Sequence, residues 1–392
     1  MRSPIVLMFL ALGSCASNPS GVNTDTSGVN TDTSGVNTDT SGVNTDTSGV
    51  NTDTSSAATG SSGTATTDVD PTTGETGAED CDQGADIEIV VLASNVLEPT
   101  RIALDETHVW WVGQPGYMMK CAKDGCADTP TTILTDQPGP VDLIVDSGKV
   151  YWSLSANSGL CSSDGFVMQC DADACEATAT LLVQSVCSRG LAVDATNVYV
   201  AEHSGDAGTV ERCARSGCAG NSDELAEVLG GPTSLALRGS TLVWTAGPTN
   251  PADGGAVFVC DPLDCVPQAL ASGPSILPVS VATDGLRAYW PNGDGSIMAC
   301  ALTGCDNLPQ VLATGQDSPY AIATNGVDVV WGTAPMGPGG VYKIAVDGSE
   351  AAPTTVATGA MVFTPGSVAI DAHHIYWSDL NTNLIARARN CR

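Results

Sequence analysis

The sequence predicts an all-β fold: a seven-bladed β-propeller of four-stranded blades, closed by an N-terminal strand pairing with the C-terminal blade and preceded by a disordered tail. Three observations predict it. One stretch recurs seven times, from Pro99–Trp111 to Pro365–Trp377, with a turn residue and an aromatic position always six apart: Asp105/Trp111, Asp146/Trp152, Asp194/Val200, Arg238/Trp244, Asp284/Trp290, Asn325/Trp331 and Asp371/Trp377. Successive copies lie 41 residues apart at the closest (Asp105 to Asp146) and 48 at the widest (Asp146 to Asp194), room for four short strands and no helix-period segment. Five cysteine pairs repeat one spacing at one place in the unit.

The chain begins with a short basic segment, Met1-Arg2-Ser3, and an apolar run, Ile5–Leu12, too short to span a bilayer. It reads as a signal peptide over residues 1–14. Leu12-Gly13-Ser14-Cys15 resembles the lipobox of bacterial lipoproteins, which implies lipid attachment at Cys15. The 15 cysteines agree, because removing Cys15 from pairing leaves an even number. Residues 15–80 follow as a stalk, with five copies of Ser-Gly-Val-Asn-Thr-Asp-Thr over 20–54. A heptad period suggests a coiled coil, but valine is the only sizeable apolar residue in each and glycine precedes it. Such a tract cannot bury enough surface to offset its ordering entropy and is expected to be disordered.

Residues 81–392 form the predicted propeller. Each unit opens with an apolar first strand, such as Val368-Ala-Ile, and six of the seven turn at an Asp or Asn that can cap the turn through its own backbone, the exception being Arg238. A second strand ends at the aromatic position, a loop of variable length follows, and two more strands flank a tight turn. The last unit supplies three strands only. Ile87–Ala93 reads as the missing fourth and should pair with Leu384–Arg387, which removes the exposed sheet edge.

The pairs Cys121–Cys126, Cys170–Cys175, Cys213–Cys218, Cys260–Cys265 and Cys300–Cys305 flank the turn between strands three and four, where facing residues come within disulfide reach. Unit six loses both cysteines together, to Ile344 and Ser349, as one bond would. Pairs on separate blades cannot converge on a metal. Of the remaining four, Cys81–Cys391 should lock the seam, and Cys161–Cys187 should join two loops of one face. So many cysteines imply an oxidising compartment.

The formal charge of −30 excludes a nucleic-acid partner, which needs clustered Lys and Arg. No hydrolase elbow, zincin helix, P-loop or dinucleotide motif occurs. His108, His373 and His374 fall in turns. His203, in the loop Glu202–Asp206, is the single candidate for a general base. Asn292–Ser296 offers oxygen ligands that could suit calcium, although a Gly-rich turn explains it too. The tryptophans at the end of strand two suit packing between blades better than a carbohydrate ring. Variation collects instead in four loops after strand two: Ser155–Gly165, Ala201–Gly208, Ala246–Gly255 and Ala334–Gly340.

Tyr151-Trp-Ser-Leu154 and Tyr376-Trp-Ser-Asp379 resemble the YWTD repeat of lipoprotein-receptor propellers, although seven units stand here rather than six. The wider pattern is similar to secreted bacterial lipoproteins with NHL-like or TolB-like repeats and a cysteine pair per blade. These resemblances imply a propeller that binds rather than catalyses. The expected protein is a monomeric lipoprotein of the outer membrane or cell surface that binds a protein or glycan. A metal-dependent propeller-type lyase or hydrolase is the alternative, and a passive surface component a third.

Overall fold

The computed structural model describes residues 87–155, 165–185, 187–204, 207–218, 221–250, 252–334 and 337–391. The proposed signal, Cys15, the stalk, Cys81 and Cys161 lie outside the described residues. Seven four-stranded antiparallel sheets form seven blades. Blade one is Pro99–Leu104, His108–Gly113, Tyr117–Ala122 and Thr131–Leu134. Blades two to six repeat this sequential order. In blade seven, Ile89–Ser94 is the fourth strand and pairs antiparallel with Leu384–Arg389, Val90 facing Arg387. The seam is therefore the one the three-stranded last unit required.

The blades are held by cores that lie between neighbours. Trp110, Val112 and Leu134 of blade one pack with Leu143, Val150 and Trp152 of blade two. Tyr289 and Ala313 of blade five pack with Val329, Trp331 and Ile344 of blade six. The six tryptophans at the repeat's aromatic position are all buried, so they serve packing and not a ligand ring. Each fully buried aromatic side chain contributes about 2–3 kcal/mol of apolar burial. Trp152 and Trp331 also donate to the Oε1 atoms of Gln137 and Gln316, at 3.1 and 3.0 Å, in the linkers that enter their blades.

All five hairpin cystines are present. Their sulfurs do more than close turns. Cys121 and Cys126 lie 3.8 and 3.4 Å from the Leu92 carbonyl of the preceding blade's outer strand. Cys213 and Cys218 sit likewise on Leu182, and Cys300 and Cys305 on Leu270. Ile344 takes this wedge position in blade six and is buried against Leu312 and Ala313. Cys187 and Cys391 are disulfide-bonded as well. Their expected partners, Cys161 and Cys81, fall outside the described residues.

The turns between strands one and two carry a shared device. Asp105 Oδ1 accepts from the backbone N–H of Thr107 and His108, and Asp194, Asp284, Asn325 and Asp371 repeat it. The second carboxylate oxygen takes a side chain five residues on: Trp110, Tyr199, Tyr289 or Tyr376. Blade two corrects the expectation that Asp146 caps in the same way. Its turn is a two-residue hairpin with Ser147 and Gly148 at φ 51 and 74, and that geometry leaves no N–H for the carboxylate to cap. Asp146 instead accepts from Arg215 of blade three at 2.5 Å.

Candidate functional site

The two faces of the ring differ. The lower face, with the Asx turns and the cystine turns, is stitched from blade to blade. Arg215, inside the third cystine turn, meets Asp146 and donates to Tyr151 Oη at 2.6 Å in the preceding blade. Lys123, at the matching place in blade one, lies 2.9 Å from Asp371 of blade seven. Burial alone would raise the Asp371 pKa, but donors from Lys123, His373 and His374 outweigh it and hold the carboxyl below its ordinary value. Asp105 and Asp194 are lowered by the same balance, through Trp110 and Tyr199 with their turn amides. The partner phenols of Tyr199, Tyr289 and Tyr376 are pushed up, by burial first and then by the adjacent carboxylate.

The upper face carries the blade linkers and the loops after strand two. Here the first strands begin, five of them at a proline, and in six blades a bulge interrupts pairing just after the start. A bulge re-aims the residue that follows it. The third residue of each opening is Arg101, Asp142, Gly190, Ser234, Ser280, Ala321 or Ser367 in ring order. Arg101, Asp142 and the three serines line a cavity of about 170 Å³ at the axis, floored by Ile102, Leu191, Val281, Ile322 and Val368. Below it the channel widens to a space of about 340 Å³, bounded mainly by aliphatic residues such as Ile144, Val193, Leu237 and Ala323, with Thr283 and Thr324.

Asp142 is the fixed point of the polar mouth. Oδ1 accepts from its own strand at Leu143 N–H, 2.9 Å away, and Oδ2 from Leu191 N–H of blade three at 2.8 Å. Arg101 Nε lies 3.0 Å from Oδ1, and the Asp142 charge raises the guanidinium pKa further. Ser234 Oγ accepts from Val281 N–H at 3.2 Å, and Ser280 Oγ donates to the Tyr320 carbonyl at 2.6 Å. Tyr320, on the strand that opens blade six, is an exposed aromatic, Leu97 and Phe363 are exposed on linkers of the same face, and Leu229 is exposed at the end of the fourth strand of blade three.

The residues singled out from sequence do not gather here. His203 lies near the end of strand two of blade three, where its backbone N–H donates to the Cys187 carbonyl. Its ring lies against Gly231 in the linker to blade four, and it lines neither axial space. His108, His373 and His374 belong to the lower turns, as expected. In the Asn292–Ser296 turn, Asn292 Oδ1 and Asp294 Oδ1 are engaged by protein donors. Asn292 accepts from Leu277 N–H and donates to the Ser275 carbonyl, while Asp294 accepts from Ser296 N–H and Oγ. Among the described residues no cluster of three His, Cys, Asp or Glu could hold a metal, and the described channel lining contains one carboxylate and no histidine. The sequence reasoning missed Arg101, Asp142, the three serines and Tyr320. The signal was present in the opening of each unit, where the strands are regular but one position changes chemistry from blade to blade.

No family model matches the chain, and no curated protein matches it. Solved structures do. The WD40 repeats of RRP9 superpose with a TM-score of 0.55 at 12% identity, over 77% of this chain and 97% of that one. The structure of U3-55K gives 0.55 at 12%, over 77% and 98%. The computationally designed Ika8 protein gives 0.52 at 14%, over 77% and 99%. At these identities the likeness establishes the propeller fold alone.

Proposed function

We propose that the propeller is a binding module that recognises a protein or glycan through its upper face, on an exported lipoprotein anchored at Cys15 to the cell envelope. One observation carries the binding role. The lower face spends similar residues in blade after blade on turns and inter-blade contacts, whereas the seven matching positions of the upper mouth carry five residue types, Arg, Asp, Gly, Ser and Ala, beside exposed Tyr320 and Phe363. A rigid ring with irregular chemistry on one face fits recognition, and loops positioned by such a scaffold usually bear it. The resemblance of the repeats to those of secreted lipoproteins with NHL-like units supports the envelope location, as do the five hairpin cystines, which need an oxidising compartment.

The test is site-specific photo-crosslinking in cells that produce the full-length protein. A photoreactive residue at Tyr320 or Phe363 should give adducts with an envelope component. The same residue at Leu286 or Val327, exposed on the lower face, should give none. Adducts from the lower positions alone would overturn the assignment.

A further inference from the structure

We propose that the polar mouth of the channel is a binding site for the carboxylate of an acidic sugar. The site deepens the upper-face binding role and rests on it. Arg101 meets Asp142 through Nε, and its terminal amines have no partner among the described residues. Asp142 is in turn held by two backbone N–H groups, so it is a fixed support rather than a mobile counter-ion. The guanidinium side chain is 28% exposed. It is thus partly removed from water, where a charge-assisted bond to a carboxylate is stronger than at an open surface.

The hydroxyls around it are complementary. Ser234 Oγ already accepts a bond and has its hydrogen left to donate. Ser280 Oγ already donates and has lone pairs left to accept. Ser367 is a buried residue at the mouth, and its Oγ has no partner among the described residues. A ligand that offers both donors and acceptors beside its acid group uses all three, and a sugar ring does so. Tyr320, whose carbonyl accepts from Ser280 at the mouth and whose side chain is exposed, supplies an aromatic ring beside the rim against which the C–H face of a sugar can lie. The net charge of −30 repels a polyanion as it approaches, so one carboxylate on an otherwise neutral, hydroxylated ring suits the mouth best.

The experiment is a calorimetric titration of the full-length, oxidised protein with D-glucuronate, D-glucose and N-acetylglycine at physiological salt. Glucuronate should bind at least about tenfold more tightly than glucose, the discrimination expected of a charged hydrogen bond worth roughly 1.5–3 kcal/mol. Arg101→Gln should remove that preference, and Tyr320→Ala should weaken glucuronate several-fold. If Arg101→Gln does not fold, the exposed Tyr320→Ala and the small change Ser367→Ala report on the same site. Equal binding of glucuronate and glucose, or unchanged binding in the variants, overturns the proposal. N-acetylglycine binding as tightly as glucuronate overturns the sugar class. Crosslinks at Tyr320 and Phe363 without any glucuronate preference would discard this site and leave upper-face recognition standing.

Discussion

Blade six shows how a blade can do without its cystine, and this can be imposed on blade five. The perturbation is Cys300→Ile with Cys305→Ser, copying Ile344 and Ser349. Two contributions separate. Closing so short a loop restrains the unfolded chain by about 2 kcal/mol, and that is lost in any variant without the bond. The second is the wedge between blades. Cys300 is buried with Leu270, Ala271 and Trp290, and Ile344 is buried the same way against Leu312 and Ala313. Isoleucine therefore keeps apolar contact with the preceding blade. Serine at Cys300 would lose it and bury a hydroxyl, at an extra cost of roughly 1–3 kcal/mol. The Ile/Ser variant should fall about 2 kcal/mol below the parent, and a Ser/Ser variant about 3–5 kcal/mol below it. Equilibrium urea unfolding of oxidised full-length protein measures both, with the slope checked for constancy. Equal losses in the two variants would refute the wedge and leave the cystines as loop closures only.

Further outcomes follow from the same contacts. Arg215→Met breaks partly exposed bonds to Asp146 and Tyr151 and should cost about 1 kcal/mol, seen as a lower melting temperature. An unchanged transition would deny the stitch any role. Gly231 has φ +67 and a Cβ there would stand 1.9 Å from His203 Nδ1, so Gly231→Ala should cost roughly 1–3 kcal/mol. Adding His203→Ala should recover the steric part, and a double-mutant cycle with no coupling would contradict this. Asp105, Asp194 and Asp371 have folded pKa values below their unfolded ones. Their stabilisation is complete above the unfolded value of about 3.9 and is lost as pH falls through the lower folded values. Urea midpoints measured downward from pH 6 should therefore fall below about pH 4. Asp371→Asn should flatten that fall, and a variant as steep as the parent would argue against it.

Much of this was legible because repeats turn one observation into seven. The blade count, the seam at Ile89–Ser94 and the hairpin cystines follow from patterns that cannot be met by another arrangement without leaving an edge or a thiol stranded. What escaped were contacts between blades. The six-residue interval drew attention to Trp377, while the residue before it, Tyr376, reaches back to Asp371. Lys123 and Arg215 look like ordinary turn cations until the ring brings the previous blade beside them. Arg101 and Asp142 are 41 residues apart in the chain, and only the bulge after each opening proline turns them toward one axis. Asp146 was misjudged because Ser147-Gly148 makes a shorter turn than its counterparts.

The division of labour between the faces is tested most directly by hydrogen–deuterium exchange on the full-length protein, with and without a detergent-solubilised envelope fraction from cells that produce it. Protection should appear at the openings of the first strands, Pro99–Ile102, Pro319–Ile322 and Pro365–Val368, and in the linkers beside them. Protection centred on the lower turns around Asp105, Asp284 and Asp371, with the openings unchanged, would contradict the account.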